Sequence, residues 1–231
     1  MKKIAIIQSN YIPWKGYFDI INDCDLFILY DDVQYTHGDW RNRNKIKTNN
    51  GTSWLTIPVG AHLDKLTCQV QINDNKWQIK HWKSLQASYS RTSYFKYYRD
   101  FLEYVYLEKN WSYLSELNQY LIKHISKEFL GIKTEIRDSS EYNVQGKKLD
   151  RVIDLVKIVE GDIYISGPAA KDYIITERFE KEGIRLVYKD YQGYPEYDQV
   201  NPPFEHSVSI LDLLFHVGPD APYYIWGWRD R

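Results

Sequence analysis

Short apolar runs alternate along this chain with segments whose apolar residues recur every three or four positions, the pattern of strands alternating with helices. Residues 3–8 (KIAIIQ) read as a buried strand that the polar stretch Ser9-Asn10-Tyr11 breaks. Pro13 can open a helix, because the donor it lacks would have no intrahelical partner there. Trp14, Tyr17, Phe18 and Ile21 then follow at helical spacing, and Leu26 to Tyr30 reads as a second strand ending in Asp31-Asp32. This opening is a β-α-β unit, which closes into a parallel pair by a right-handed crossover.

Between Asp31 and Trp54 the pattern is irregular and polar, and Trp54–Val59 with Leu66–Ile72 then alternate like two antiparallel strands. Helical stretches rich in Lys, Glu and aromatic residues fill Trp77 to about Phe129, with breaks at Tyr89–Tyr94 and Asn110–Ser112. Strands at Lys133–Arg137, Ile163–Ile165 and Arg185–Tyr188 then alternate with helices at Gly146–Val159 and Ala169–Glu182. Gly183 stands where a left-handed residue would end the last of these helices. The pattern predicts an α/β fold: one Rossmann-like parallel sheet with helices on both faces, interrupted at about 50–130 by a β-hairpin and helical insertion. Residues 1–231 are expected to form a single domain, since no repeat, low-complexity tract or Gly/Ser-rich linker divides them.

Composition narrows the partners. Thirty Lys and Arg against 31 Asp and Glu leave a net charge of −1, which excludes a dedicated duplex-DNA binder with a broad basic field. Cys24 and Cys68 form no CxxC and adjoin no histidine pair, so neither a disulfide framework nor a Cys-rich zinc site is expected, and a reducing cytoplasm fits. The N-terminal apolar run is shorter than the roughly 7–15 residues of a signal peptide, and nothing approaches the about 20 of a membrane span, so no membrane insertion is expected. Twenty-one Tyr and 8 Trp suit stacking on sugars or bases, although ordinary half-buried packing accounts for most such rings.

Ligands of open parallel sheets bind beyond the carboxyl ends of the strands. Those ends carry Gln8, Ser9 and Asn10; Asp31 and Asp32; Asp138, Ser139 and Ser140; and Ser166 and Gly167. The densest constellation is Asp31-Asp32-Val33-Gln34-Tyr35 followed by Trp40-Arg41-Asn42-Arg43-Asn44. Paired carboxylates can hold a sugar diol or Mg²⁺, and Arg41 and Arg43 offer planar forks for phosphate or carboxylate. The competing reading is a solvated loop whose charges pair with one another. His81, beside Lys80 on a predicted helix, is a natural general base, although a lone helical histidine more often lies at a surface or a cap. No two histidines fall at HxH or HxxxH spacing, so no metal site is expected. GxGxxG, GxxxxGK[ST] and GxSxG are absent, which leaves arginines and helix N-termini to hold a phosphate, the turn Ser166-Gly167-Pro168 being one such place.

These residues carry a family likeness. The stretch Gln8-Ser9-Asn10-Tyr11-Ile12-Pro13-Trp14-Lys15-Gly16-Tyr17-Phe18 resembles the opening Q-x-x-Y-x-P-W-x-G-Y-F of the WbqC-like proteins, although Ser9 stands where some relatives carry proline. The likeness continues through Asp31 to Tyr35, Trp40 to Asn44, Trp54 to Val59, Lys80-His81, Ser166-Gly167-Pro168 and Ser209 to Phe215 followed by Gly218, in order along nearly the whole chain. The resemblance implies a role in surface-polysaccharide (O-antigen) gene clusters, as a transferase that moves an acyl or aminoacyl group onto an activated amino sugar.

On that reading the partners are a nucleotide-linked sugar and an acyl-CoA or aminoacyl donor, no cofactor is assigned, and a homodimer is compatible. Arg41 and Arg43 would bind phosphate, with Asn42, Asn44, Gln34, Gln8, Asn10, Tyr11, Lys80, Ser166 and Gly167 around the substrate and Trp14 and Tyr17 stacked on a ring. Asp31, Asp32 and His81 would be the catalytic groups, which requires the Lys80-His81 helix to fold within about 10 Å of the Asp31-Asp32 loop. Two alternatives stay open. A strand followed by Pro-Trp-x-Gly-Tyr also resembles the HxGH turn of nucleotidyl-transferring and adenylate-forming enzymes, with Trp14 and Tyr17 in the histidine positions. The other is a non-enzymatic sugar-binding or scaffold subunit.

Overall fold

The computed structural model describes residues 1–60, 62, 64–172 and 174–230. β1 (Lys3–Ile7) leads into α1 (Lys15–Asn22) and returns as β2 (Leu26–Leu29), parallel to β1 with Ile4 beside Leu26. An excursion follows: the antiparallel hairpin β3 (Arg43–Thr48) and β4 (Gly51–Thr56), then α2 (Lys76–Tyr89), α3 (Phe95–Glu103) and α4 (Leu114–His124). π-helical turns at Tyr104–Glu108 and Ile125–Phe129 end α3 and α4. Then come β5 (Glu135–Asp138), α5 (Lys148–Ile158), β6 (Ile163–Ser166), α6 (Thr176–Lys181), β7 (Arg185–Tyr188), α7 (Ile210–Val217) and α8 (Ala221–Ile225).

The main sheet is parallel throughout, in the order β5-β2-β1-β6-β7. The chain winds outward from β1 through β2 to β5 and then crosses back to β6, so the winding reverses between β1 and β6. Such a switch point opens a crevice at the carboxyl edge. Side chains alternate across the sheet. Ile4, Ile6, Leu26 and Ile28 face Ile153, Leu155 and Val156 of α5 and Phe179 of α6. Ala5, Phe27 and Leu29 lie in the cluster that holds Phe18 and Ile21 of α1 and Leu214 and Phe215 of α7. Coverage on both faces is why β2, LFIL, is apolar at every position. Trp82, Leu85, Leu102 and Leu121 of the helical excursion belong to that second cluster, so the excursion docks on the sheet's core.

Two predicted elements are corrected. The partner of the Trp54 strand is Arg43–Thr48, not Leu66–Ile72, which forms a 3₁₀ turn at Thr67–Gln69 and isolated bridges at Gln34–Leu66 and Gln71–Tyr113. β3 hides from the alternation test because the inward-facing Asn44 is polar yet buried. The excursion therefore begins before residue 50. The predicted helix at 169–182 is instead a 3₁₀ turn at Pro168–Asp172 followed by α6 from Thr176, with Tyr173 outside the described residues. No α-helix N-terminus stands at Ser166-Gly167-Pro168 to receive a phosphate.

The segment between β7 and α7 is fastened over α1 by buried charge. Asp19, 1% exposed, accepts from Tyr194 Oη at 2.5 Å, pairs with Lys189 at 2.9 Å and receives two Arg229 nitrogens at 3.0 and 2.8 Å. Lys15 is buried with its ammonium 4.9 Å from the ring of Tyr194 and 5.8 Å from that of Tyr197, and burial lowers its pKa to about 8. Removing Asp19 would leave Lys189 with Asp23 alone and the part-exposed Arg229 without its carboxylate, so Asp19→Ala should lose about 2–3 kcal/mol in urea denaturation, and an unchanged midpoint would show that the network adds no net stability.

Candidate functional site at the carboxyl edge of the sheet

The residues after β1 are gripped by the segment that enters β3. Tyr11 N–H donates to the Trp40 carbonyl at 3.0 Å, and Asn44 Nδ2 donates to the carbonyls of Tyr11 and Ile12 at 3.1 and 2.8 Å. Ile12 needs that grip: its φ of 36° is one a β-branched residue rarely adopts. Arg41 lays its guanidinium across the strand end, Nε donating to Gln8 Oε1 at 3.0 Å and Nη1 to Asn10 Oδ1 at 2.7 Å. Its own carbonyl accepts from Asn118 Nδ2 at 2.8 Å, and Gln8 is fixed in turn by Thr67 Oγ1 at 3.1 Å. The nearest carboxylate, Asp39, is 3.8 Å away, so the charge of a side chain only 15% exposed rests mainly on neutral amides. Such a cation is positioned and still available to an anion.

Beside this cluster lies a cleft of about 270 Å³ lined by Asn10, Pro13, Trp14, Trp40, Asn44 and Ser207. Trp14 folds back along α1, where a Cβ on Gly16 would sit 2.3 Å from its ring; glycine is what allows that approach. Tyr191 meets the Trp14 ring edge-on at 4.9 Å, and its hydroxyl lies 3.8 Å from where a Cβ on Gly167 would stand. Asn10 belongs both to the Arg41 cluster and to the cleft, and so joins the two.

The two carboxylates after β2 are committed to protein partners. Asp31, fully buried, accepts from Ser9 N–H at 2.8 Å and Gln119 Nε2 at 3.0 Å, and burial pushes its pKa up. Gln119 also reaches Asp138 at 2.5 Å. Asp32 pairs with Arg151 and accepts from Ser139 Oγ at 2.5 Å. Among the described residues no three His, Cys, Asp or Glu side chains are arranged to hold a metal ion.

His81 is 5% exposed, inside an aromatic cluster with Trp77 and Tyr106 at centroid distances of 5.1 and 6.4 Å. Its Nδ1 lies 2.8 Å from Tyr11 Oη, which is itself 2.6 Å from Tyr106 Oη, and a hydrogen bond to the Thr56 backbone occupies the ring as well. Burial lowers its pKa to about 4. A neutral imidazole with its Nε2–H on the Thr56 carbonyl and its Nδ1 accepting from Tyr11 satisfies every partner. That placement suits anchoring of Tyr11 better than proton transfer from a substrate.

The structure thus gathers Gln8, Asn10 and Arg41 in one cluster and Asn10, Trp14 and Asn44 in the adjoining cleft. Tyr17 is a core residue, packed on Phe27 at 5.4 Å with its hydroxyl on the Gln8 carbonyl. Asn42 is spent on the Ile57 carbonyl, Arg43 lies on the Trp54 ring, Lys80 is exposed on α2, and Ser166 is buried at the end of β6. The Gln34 carbonyl accepts from Gln8 at 3.3 Å. Sequence reasoning missed Trp40 as a cleft wall, though an indole in a polar run was a signal; Thr67, Asn118, Gln119, Arg151, Tyr191 and Ser207 carried none, since their partners are remote in the chain. A larger cleft of about 890 Å³ lies away from this edge, between the tip of the β3–β4 hairpin and the end of α2.

A family model described as the WbqC-like protein family matches residues 8–224. A Mycobacterium tuberculosis relative, "Uncharacterized protein Rv1507c", is 44% identical over 228 residues, 97% of this chain and 98% of that protein. No solved structure matches the chain. No helix among the described residues is long and apolar enough to cross a membrane.

The depressed His81 pKa has a consequence for stability. Between about 6.5 and about 4 the unfolded chain binds a proton that the folded one refuses, so this contribution is complete above pH 6.5 and is lost as pH falls toward 4. Wild-type stability should fall across that window by up to about 3 kcal/mol more than that of His81→Gln, measured by urea denaturation at each pH. Parallel pH profiles for the two proteins would contradict the buried neutral imidazole.

Proposed function

Because the chain belongs to the WbqC-like protein family and carries a positioned cation beside an aromatic cleft, we propose that it is a transferase acting on a nucleotide-activated amino sugar. The sugar's diphosphate rests on Arg41, and its hexose lies between Trp14 and Trp40 with Asn10 on its hydroxyls. An acyl or aminoacyl group from a thioester or ester donor goes to the sugar amine: the nitrogen bonds to the carbonyl carbon, loses a proton, and the donor's thiol or hydroxyl leaves with one. The setting is the building of surface polysaccharide of the O-antigen type.

One observation carries this reading: Asn10 is shared by the Arg41 cluster and the Trp14–Trp40 cleft, which makes an anion subsite continuous with a ring-sized one. Indole faces suit the C–H faces of a pyranose, and amide side chains suit its hydroxyls. The switch-point location supports it further. In this reading His81 works by holding Tyr11, and hence the loop that bears Asn10, since an imidazole with a pKa of about 4 is a weak base at neutral pH.

Calorimetric titration with UDP-glucosamine should show binding, and Arg41→Ala should weaken it about 10- to 100-fold, the worth of a charge-assisted hydrogen bond. Mass spectrometry of UDP-glucosamine incubated with the protein and acetyl-CoA then tests for transfer. Failure of a panel of nucleotide sugars to bind at millimolar concentration would end this reading.

A further inference from the structure

We infer that the outer face of the β3–β4 hairpin is a binding subsite for an acidic saccharide, one bearing uronate carboxylates. The register sets Lys45 directly opposite Trp54 and places Arg43 opposite Thr56, one step along the same face. Trp54 and Trp40 are 43% and 39% exposed, and their rings lie 5.4 Å apart, tilted by 39°. The Arg43 guanidinium sits 4.4 Å from the Trp54 ring and Lys45 Nζ 5.2 Å from it. Trp40 is also a wall of the cleft, so the two-indole platform continues out of the pocket without a break.

Two features name the occupant. Large exposed indoles side by side on a two-stranded hairpin form an apolar platform that solvent does not favour, and their flat faces match the C–H faces of pyranose rings. Among the described residues, neither Arg43 nor Lys45 pairs with a carboxylate; the Arg43 fork donates to the Gly38 carbonyl, and its Nε is buried without a partner. Cations left uncompensated beside stacking rings complement a chain whose rings carry carboxylates, which the remaining edge of the Arg43 guanidinium and the Lys45 ammonium can meet. A nucleic acid fits less well, since two cations on a chain of net charge −1 give little counterion release. The inference rests on the proposed function only in taking the cleft as the place where the nucleotide-linked sugar sits.

The test uses the whole protein labelled with 5-fluorotryptophan, with the fluorine signals of Trp40 and Trp54 assigned from Trp40→Phe and Trp54→Phe. Trigalacturonic acid is titrated in, with galactotriose as the neutral control. Both signals should move with the acidic trisaccharide, the neutral one should bind at least about tenfold more weakly, and binding should decline as salt is raised to about 0.5 M. Lys45→Glu should weaken binding by a further factor of about ten or more while leaving the melting temperature unchanged, because the Lys45 side chain is partly exposed and its backbone bond to Ser209 is untouched.

Unmoved Trp40 and Trp54 signals, equal affinity for both trisaccharides, or movement of these signals by transfer RNA alone would overturn the inference. UDP-glucosamine titrated into the same sample separates the two claims. If it binds while the acidic trisaccharide does not, only the saccharide subsite falls; if the trisaccharide binds and UDP-glucosamine does not, only the nucleotide-sugar assignment falls.

Discussion

The grip of residues 40–44 on residues 8–12 is the constraint from which the rest of the site follows. Asn44 holds the carbonyls of Tyr11 and Ile12, Trp40 accepts from Tyr11, and Arg41 takes the amides of Gln8 and Asn10. The loop leaving β1 cannot relax from the unusual backbone at Ile12 while Asn44 is in place. The same contacts bring Trp40 and Trp14 into the lining of one cleft. Further supports converge on the grip: Asn118 of α4 on the Arg41 carbonyl, Thr67 on Gln8, and the buried Tyr106–Tyr11–His81 chain behind Tyr11. A site on loops becomes rigid when each loop's polar groups are spent on the other.

Electrostatics then sorts the charged groups by what they can still do. Asp32 and Arg151 neutralise each other, and Asp19 is satisfied by Lys189, Arg229 and Tyr194. Asp31 is buried, with Ser9 and Gln119 on its oxygens. Arg41 differs, because its closest partners are neutral oxygens. A charge that protein groups orient without cancelling is the physical basis for an anion subsite.

The middle of the sheet was legible because β1, β2 and β6 are buried on both faces and read as short apolar runs between turn residues. Arg185–Tyr188 and the helical block from α2 to α4 followed from periodicity in the same way. The hairpin was not, because its buried positions include Asn44, whose side chain serves the neighbouring loop instead of an apolar core. Its actual signal was the turn Asn49-Asn50-Gly51, with Gly51 at a φ of 97°, and turn chemistry outweighs alternation in so polar a strand. Within the site, Gln8, Asn10, Trp14, Arg41 and Asn44 stand out in sequence because they cluster in two short polar stretches. Tyr17 misleads, since an aromatic at helical spacing reads alike whether it faces a ligand or packs on Phe27. His81 misleads for a similar reason: its burial depends on Tyr11, seventy positions earlier in the chain.

The central claim is that Arg41 and the Trp14–Trp40 cleft form one site joined at Asn10, and a crystal structure with UDP-glucosamine tests it most directly. The account predicts the diphosphate on the Arg41 guanidinium and the hexose ring between the two indoles, with Asn10 in contact with both parts of the ligand. Phosphates bound elsewhere, for example in the cleft lined by Lys189 and Arg229, with Arg41 still held only by Gln8 and Asn10, would contradict it.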